Sequence, residues 1–157
     1  MASQAFVNQA TTLALCEGFI TMVWEQKYRD MPGNRKFDQL RLDLLEAIHN
    51  AWVVLVKTSG HQPFTQTDRA KVARKAKAMQ REIYQDQQFA LLQAIGLVVG
   101  LLCIQLDLCN RAKRAAFQGV VDKMTAFLQH LDPGGRWYDP TMEQETATMY
   151  RIMETVN

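Results

Sequence analysis

Proline occurs four times and glycine eight times in this 157-residue chain. Helix breakers are therefore scarce. The prolines stand in turn-rich stretches or ahead of a helix-like segment, so long segments run uninterrupted. Cysteine is scarcer: Cys16, Cys103 and Cys109 are odd in number and at no metal-like spacing. That excludes a disulfide-built scaffold. Cys16 and Cys103 fall inside apolar runs, where cysteine acts as a small hydrophobe, and a reducing, cytoplasmic setting is expected.

Charge of one sign is also lacking. Eighteen Lys and Arg against 16 Asp and Glu leave a net charge of +2, so no global field demands a polyanionic partner. The first residues, MASQAFVNQATTLAL, have no basic n-region and are broken by Asn8, Gln9, Thr11 and Thr12. They do not read as a signal peptide, and Ala2 excludes N-myristoylation. No repeat with a period of 20–50 residues is visible.

Catalytic signatures are missing as well. The chain has no Gly-rich phosphate loop, zinc-ligand spacing, His-x-x-x-His or Gly-x-Ser-x-Gly. No single helix carries the paired acidic motifs of helical nucleotide pyrophosphatases, and His49, His61 and His130 lie far apart. These absences argue against an enzyme; no cofactor and no metal are expected. Glu46 and His49 do form a Glu-x-x-His pair, as in di-iron bundles. Such sites need further inward Glu residues and a second such pair; the chain has no second Glu-x-x-His, and Glu46 and His49 fall on the polar arc, so a solvated face is the better account.

What is present is one long apolar run, Phe89 to Leu108, FALLQAIGLVVGLLCIQLDL, uncharged to Leu106 and interrupted only by Gln93 and Gln105. It is too long for an ordinary strand and reads as a helix that needs apolar surroundings. Gly96 and Gly100 lie four apart on one face, where a second backbone can approach closely. As a helix, residues 89–106 span about 27 Å, just short of the roughly 30 Å hydrocarbon core. Arg111, Lys113 and Arg114 follow, as the positive-inside rule asks. A membrane-inserting helix is the lesser reading, because the other segments have apolar faces that need this one to pack on.

Those segments show helical periodicity throughout. The first, about Gln4 to Tyr28 behind an Ser3 cap, places Phe6, Leu13, Ile20 and Trp24 on one face. Glu17 falls on that face too: a candidate buried acid, paired or raised in pKa, against an edge position that reaches water. After the turn Met31-Pro32-Gly33-Asn34, the second segment, 35–58, carries the stripe Phe37, Leu40, Leu44, Ile48, Ala51 and Leu55. Leu45, Trp52 and Val56 widen it, enough to face two neighbours.

Thr65 and Asp68 resemble a capping arrangement that opens the third segment, which runs to about Gln85. Its apolar stripe is narrow, and Arg69, Lys71, Arg74, Lys75, Lys77 and Arg81 make it the strongest charge imbalance in the chain. That basic helix, 69–81, is a candidate contact for an acidic partner face or for phosphates. No aromatic residues interleave with the basic ones, so base stacking has no support there. Asp86 can cap the apolar helix. The fifth segment, 110–131, ends at Asp132-Pro133-Gly134-Gly135, and Arg136, Trp137 and Tyr138 follow in a loop. Those three residue types favour binding hot spots, though they also lock loops onto cores. The sixth segment, 141–156, carries Met142, Met149 and Met153, as a lid on the core or an adaptable binding surface.

The expectation is one all-α domain, residues 1–157, of about six helices bundled around the apolar helix 88–108. The function expected first is a small non-enzymatic protein that binds a partner protein through helix faces. Candidate contacts are Arg69, Lys71, Arg74, Lys75, Lys77, Arg81, Arg136, Trp137 and Tyr138. Nucleic-acid binding through 69–81 and membrane insertion of 89–106 are the alternatives. A second copy pairing through the last helix or the outer side of segment two would be compatible with each.

Overall fold

The computed structural model describes residues 3–58, 65–84, 90–135 and 142–155. They form six α-helices: α1 Gln4–Val23, α2 Arg35–Thr58, α3 Gln66–Ile83, α4 Ala90–Leu108, α5 Arg111–Leu131 and α6 Met142–Thr155. No strand occurs among the described residues, so the class is all-α, as the periodicity implies. Local chemistry sets the boundaries. Ser3 Oγ accepts from the Phe6 backbone N–H, and Asn110 Oδ1 accepts from that of Lys113. Thr65 and Asp68 cap one another reciprocally at the start of α3, the capping box legible in the sequence. Gly33, at φ +76°, makes the turn before α2, where Asn34 Nδ2 donates to Tyr28 O.

α1 does not stop cleanly at Val23. It continues through a widened turn, Trp24–Tyr28, in which Arg29 N–H bonds to Trp24 O across five residues. The widened turn sets both Trp24 and Tyr28 against Phe37 of α2. The Tyr28 and Phe37 rings stack 3.8 Å apart, and the Trp24 ring lies parallel to Phe37 at 6.0 Å. Phe127 of α5 meets Phe37 at 4.9 Å, so one aromatic ring ties three helices together.

Burial is distributed differently from the apolarity of the sequence. α4 does run through the body of the bundle, against α1, α5 and α6. Gln93, Cys103, Asp107 and Leu108 nevertheless face solvent. The more completely enclosed helix is α1, which packs on α2, α3, α4 and α6. It buries not only Phe6, Leu13, Phe19 and Ile20 but also Asn8, Gln9, Thr11 and Thr12. Asn8, Gln9 and Thr12 find partners on other helices in Lys75, Lys113 and Met153, whereas Thr11 Oγ1 finds none. Glu17 corrects the sequence reading in the opposite sense. It is exposed, not a buried acid, because the stripe from Leu13 to Ile20 turns past it toward solvent.

α6 crosses α4 at Gly100, where an added Cβ would lie 2.5 Å from Thr146 Oγ1. The small residue permits that approach, as the Gly96/Gly100 spacing implied. Met153 is the buried anchor of α6 and accepts from Thr12 Oγ1 at 3.7 Å, so α6 lies over α1 and α4 as a lid. Leu91–Leu108 is long and apolar enough to cross a membrane by length and composition, and half of that window is buried inside the bundle.

Candidate functional site

α2 has two faces of apolar residues. The inner one, Phe37, Leu44, Ile48, Ala51 and Leu55, is buried, chiefly against α5 and α1. The outer one is Leu42, Leu45, Trp52 and Val56, with the polar His49 among them and Val53 beside them, spaced from Leu42 to Val56 alternately by three and four residues when His49 is included. Leu45 and Trp52 are half-buried at the junction of the two faces. Leu42, Val53 and Val56 are 47%, 48% and 40% exposed, and they lie on one four-turn line of the same helix. Scattered apolar residues on a surface are ordinary; these three are aligned along one helix.

The C-terminal half of this row opens into a groove of about 620 Å³ lined by His49, Trp52, Val53, Val56, Lys57 and Arg69. Its floor is apolar and its α3 end is cationic. Arg69 joins the groove to the exposed side of α3, where Arg74, Lys77 and Arg81 also face solvent. Among the described residues the single ion pair is Arg41 with Asp38 at 2.7 Å, and no described carboxylate pairs with Arg74, Lys77 or Arg81. Near the end of α3, Lys77, Gln80, Arg81 and Tyr84 line a second concavity of about 400 Å³. Tyr84 is half-buried, its ring edge-on to Phe19 at 6.4 Å.

The basic set expected from the sequence divides in two. Arg69, Arg74, Lys77 and Arg81 are exposed and Lys71 is half-buried. Lys75 is only 1% exposed and is withdrawn from the surface. One residue's step along α3 carries it to the side facing α1, about 100° around from Arg74. Its Nζ donates to Asn8 Oδ1 at 3.0 Å, and Gln4 Nε2 donates to the same oxygen. Burial, then the Lys71 charge, lowers the Lys75 pKa below the usual lysine value, while Glu154 acts the other way.

A second lysine reaches the neighbouring position of α1: Lys113 Nζ donates to Gln9 Oε1 at 3.5 Å. Gln9 Nε2 in turn approaches Cys109 Sγ at 3.8 Å. Thr11 Oγ1 and Gln105 Nε2 are buried without a hydrogen-bond partner. This polar seam has no groove among those described that would admit a ligand, and it reads as helix-to-helix specification. Arg136, Trp137 and Tyr138 lie outside the described residues. Glu46 and His49 are both exposed on α2, and no group of three or more potential metal ligands occurs among the described residues.

No protein-family model, curated protein or solved structure matches the chain. The sequence had pointed to the broadened stripe of α2, but not to how much of it stays uncovered. That depends on where α5 and α1 pack, which is a tertiary property.

Proposed function

We propose that this chain is a small non-enzymatic interaction protein, of the inhibitor, immunity or adaptor kind, that binds a partner protein through helix faces. The observation that carries this reading is the row Leu42, Val53 and Val56, exposed along the outer side of α2. Burying such side chains is worth roughly 25 cal/mol per Å² of apolar area, a gain that a protein surface offers and phosphates do not. The basic side of α3 beside it would steer the approach of an acidic partner. A cytoplasmic, reducing location belongs to the same proposal, supported by three unpaired thiols at Cys16, Cys103 and Cys109.

The test is affinity capture with the purified chain as bait, with and without nuclease and across a salt series. Wild type is compared with Val53→Asp and with Arg74→Glu/Lys77→Glu/Arg81→Glu. A stoichiometric protein partner that survives nuclease and is lost from Val53→Asp is the expected result. A partner retained equally by both variants would remove these faces from the account.

One observation favours a second reading, nucleic-acid binding: Tyr84 sits in the same concavity as Lys77 and Arg81. An aromatic ring beside two cations is the pairing needed for base stacking with phosphate contact. On that reading the chain recovers nucleic acid alone, affinity falls steeply with salt, and the triple charge reversal abolishes it.

A further inference from the structure

We infer that the occupant of the outer α2 face is a second copy of this chain, docked antiparallel across a two-fold axis near His49. The inference rests on reading that face as an interaction surface and names what covers it. Three features point to self-pairing. First, Leu42, Leu45, His49, Trp52 and Val56 alternate three- and four-residue steps. That is the spacing with which one helix seats its side chains between those of another. The seam is about 21 Å long at 1.5 Å per residue.

Second, the charges beside the seam are self-complementary. At about 100° per residue, Asp43, Glu46 and Lys57 share one flank of the outer row. The acids stand beside its Leu42 end and the base beside its Val56 end. A two-fold axis perpendicular to the helix reverses its direction yet keeps like flank against like flank. With the axis near His49, Leu42 comes over Val56 of the second copy, and Lys57 comes beside Asp43 of the second copy. Parallel pairing would instead set unlike flanks together and leave Asp43 and Lys57 at opposite ends of the seam. Third, among the described residues Asp43 is bonded only to Gln39 Nε2, at 2.8 Å. One carboxylate oxygen therefore remains to accept from a lysine.

A single seam of four turns buries less than the roughly 1,200–2,000 Å² of a stable interface, so the dimer is reversible. His49 stands at its centre, a polar residue that fixes register at a cost in affinity.

Sedimentation velocity on the full chain tests this, at about 1–300 µM, a range suited to a weak interface, with reductant present to exclude a Cys103 disulfide. A monomer–dimer equilibrium is expected. Val53→Asp, at an exposed position that the fold tolerates, weakens it by about tenfold or more through an unpaired buried charge. His49→Leu tightens it, by about tenfold, through added apolar burial. Lys57→Glu weakens it, and adding Asp43→Lys to Lys57→Glu restores it, a rescue that only the antiparallel register produces. Monomer throughout the range overturns the inference, as does a dimer indifferent to Val53→Asp or a charge swap without rescue. A wild-type monomer that loses a captured partner on Val53→Asp overturns self-pairing alone and leaves the partner-binding reading in place.

Discussion

Lys75 Nζ donates to Asn8 Oδ1 at 3.0 Å across the α1–α3 interface, and neither side chain reaches solvent appreciably. A buried ammonium held by an amide oxygen is a tense arrangement, since the amide supplies a dipole where a carboxylate would supply a charge. Asn8→Ala should therefore cost about 1.5–3 kcal/mol, the range for a hydrogen bond to a charged group. Lys75→Met should be neutral or stabilising, because it removes the charge along with the need for the partner. Urea unfolding of the two variants checks the asymmetry.

The same lysine gives a pH dependence of known sign. Its folded pKa is lowered from 10.5, by burial first and by Lys71 second, against an opposing pull from Glu154. Between the lowered value and 10.5 the unfolded chain therefore holds more protons than the folded one, and stability rises with pH. The contribution is complete above 10.5 and is lost as pH falls through the folded value. Buried Cys16 works oppositely at alkaline pH, since burial pushes its thiol up and the folded state keeps its proton. Taking the difference between wild type and Lys75→Met across a pH series cancels Cys16. That difference should grow in favour of Lys75→Met as pH falls from 10.5.

Gly100 and Gly119 make a matched pair of opposite sign. A Cβ at Gly100 would meet Thr146 Oγ1 at 2.5 Å and Cγ2 at 2.7 Å, so Gly100→Ala should cost about 1–3 kcal/mol as α6 is pushed away. Adding Thr146→Ala removes both of those atoms and should recover part of the loss. A Cβ at Gly119, within α5, meets nothing within 4 Å. Gly119→Ala should stabilise by about 0.5–1 kcal/mol through helix propensity. Thermal unfolding of the three variants reads both effects.

Phe37 is completely buried and touches Trp24, Tyr28, Phe127 and His130 through its ring. Phe37→Ala should cost about 3–5 kcal/mol. Trp24, covered by Phe37 on one side and by the Arg41 guanidinium at 4.5 Å, should shift its fluorescence to the red. Phe37→Leu should keep more of the stability than Phe37→Ala, yet give a similar shift, because it fills space without a ring.

These tests fall where sequence and tertiary packing part company. The helices themselves were legible: α2 occupies the span read from its stripe, and Thr65, Asp68 and Asn110 mark helix starts by local bonding alone. Gly100 was legible as a close approach, though not that α6 would make it. Lys75 was not legible as buried. A basic residue among five others looks like part of a solvated face, and only the position of Asn8 on another helix gives it an interior partner. Glu17 failed for the reciprocal reason, since position on a stripe does not say where the neighbouring helices stop. The outer row of α2 is intermediate: its pattern is in the sequence, but its exposure follows from α5 taking the opposite side.

The three thiols should separate by access and by acidity. Cys16 and Cys109 are buried and Cys103, on the solvent side of α4, is exposed. A thiol reagent added to the folded chain should therefore modify Cys103 first. Exposure does not make it fast, because partial burial and then the Asp107 carboxylate both raise its pKa and keep it protonated near neutral pH. The reaction should accelerate as pH rises, and Asp107→Asn should accelerate it at fixed pH by removing the negative neighbour. Cys16 should react only as the chain unfolds, in step with loss of the helical signal, since its thiol lies at the centre of α1. Mass spectrometry of a timed labelling series reads all three sites at once. Early modification of Cys16 in the folded chain would mean that α1 is not the enclosed helix.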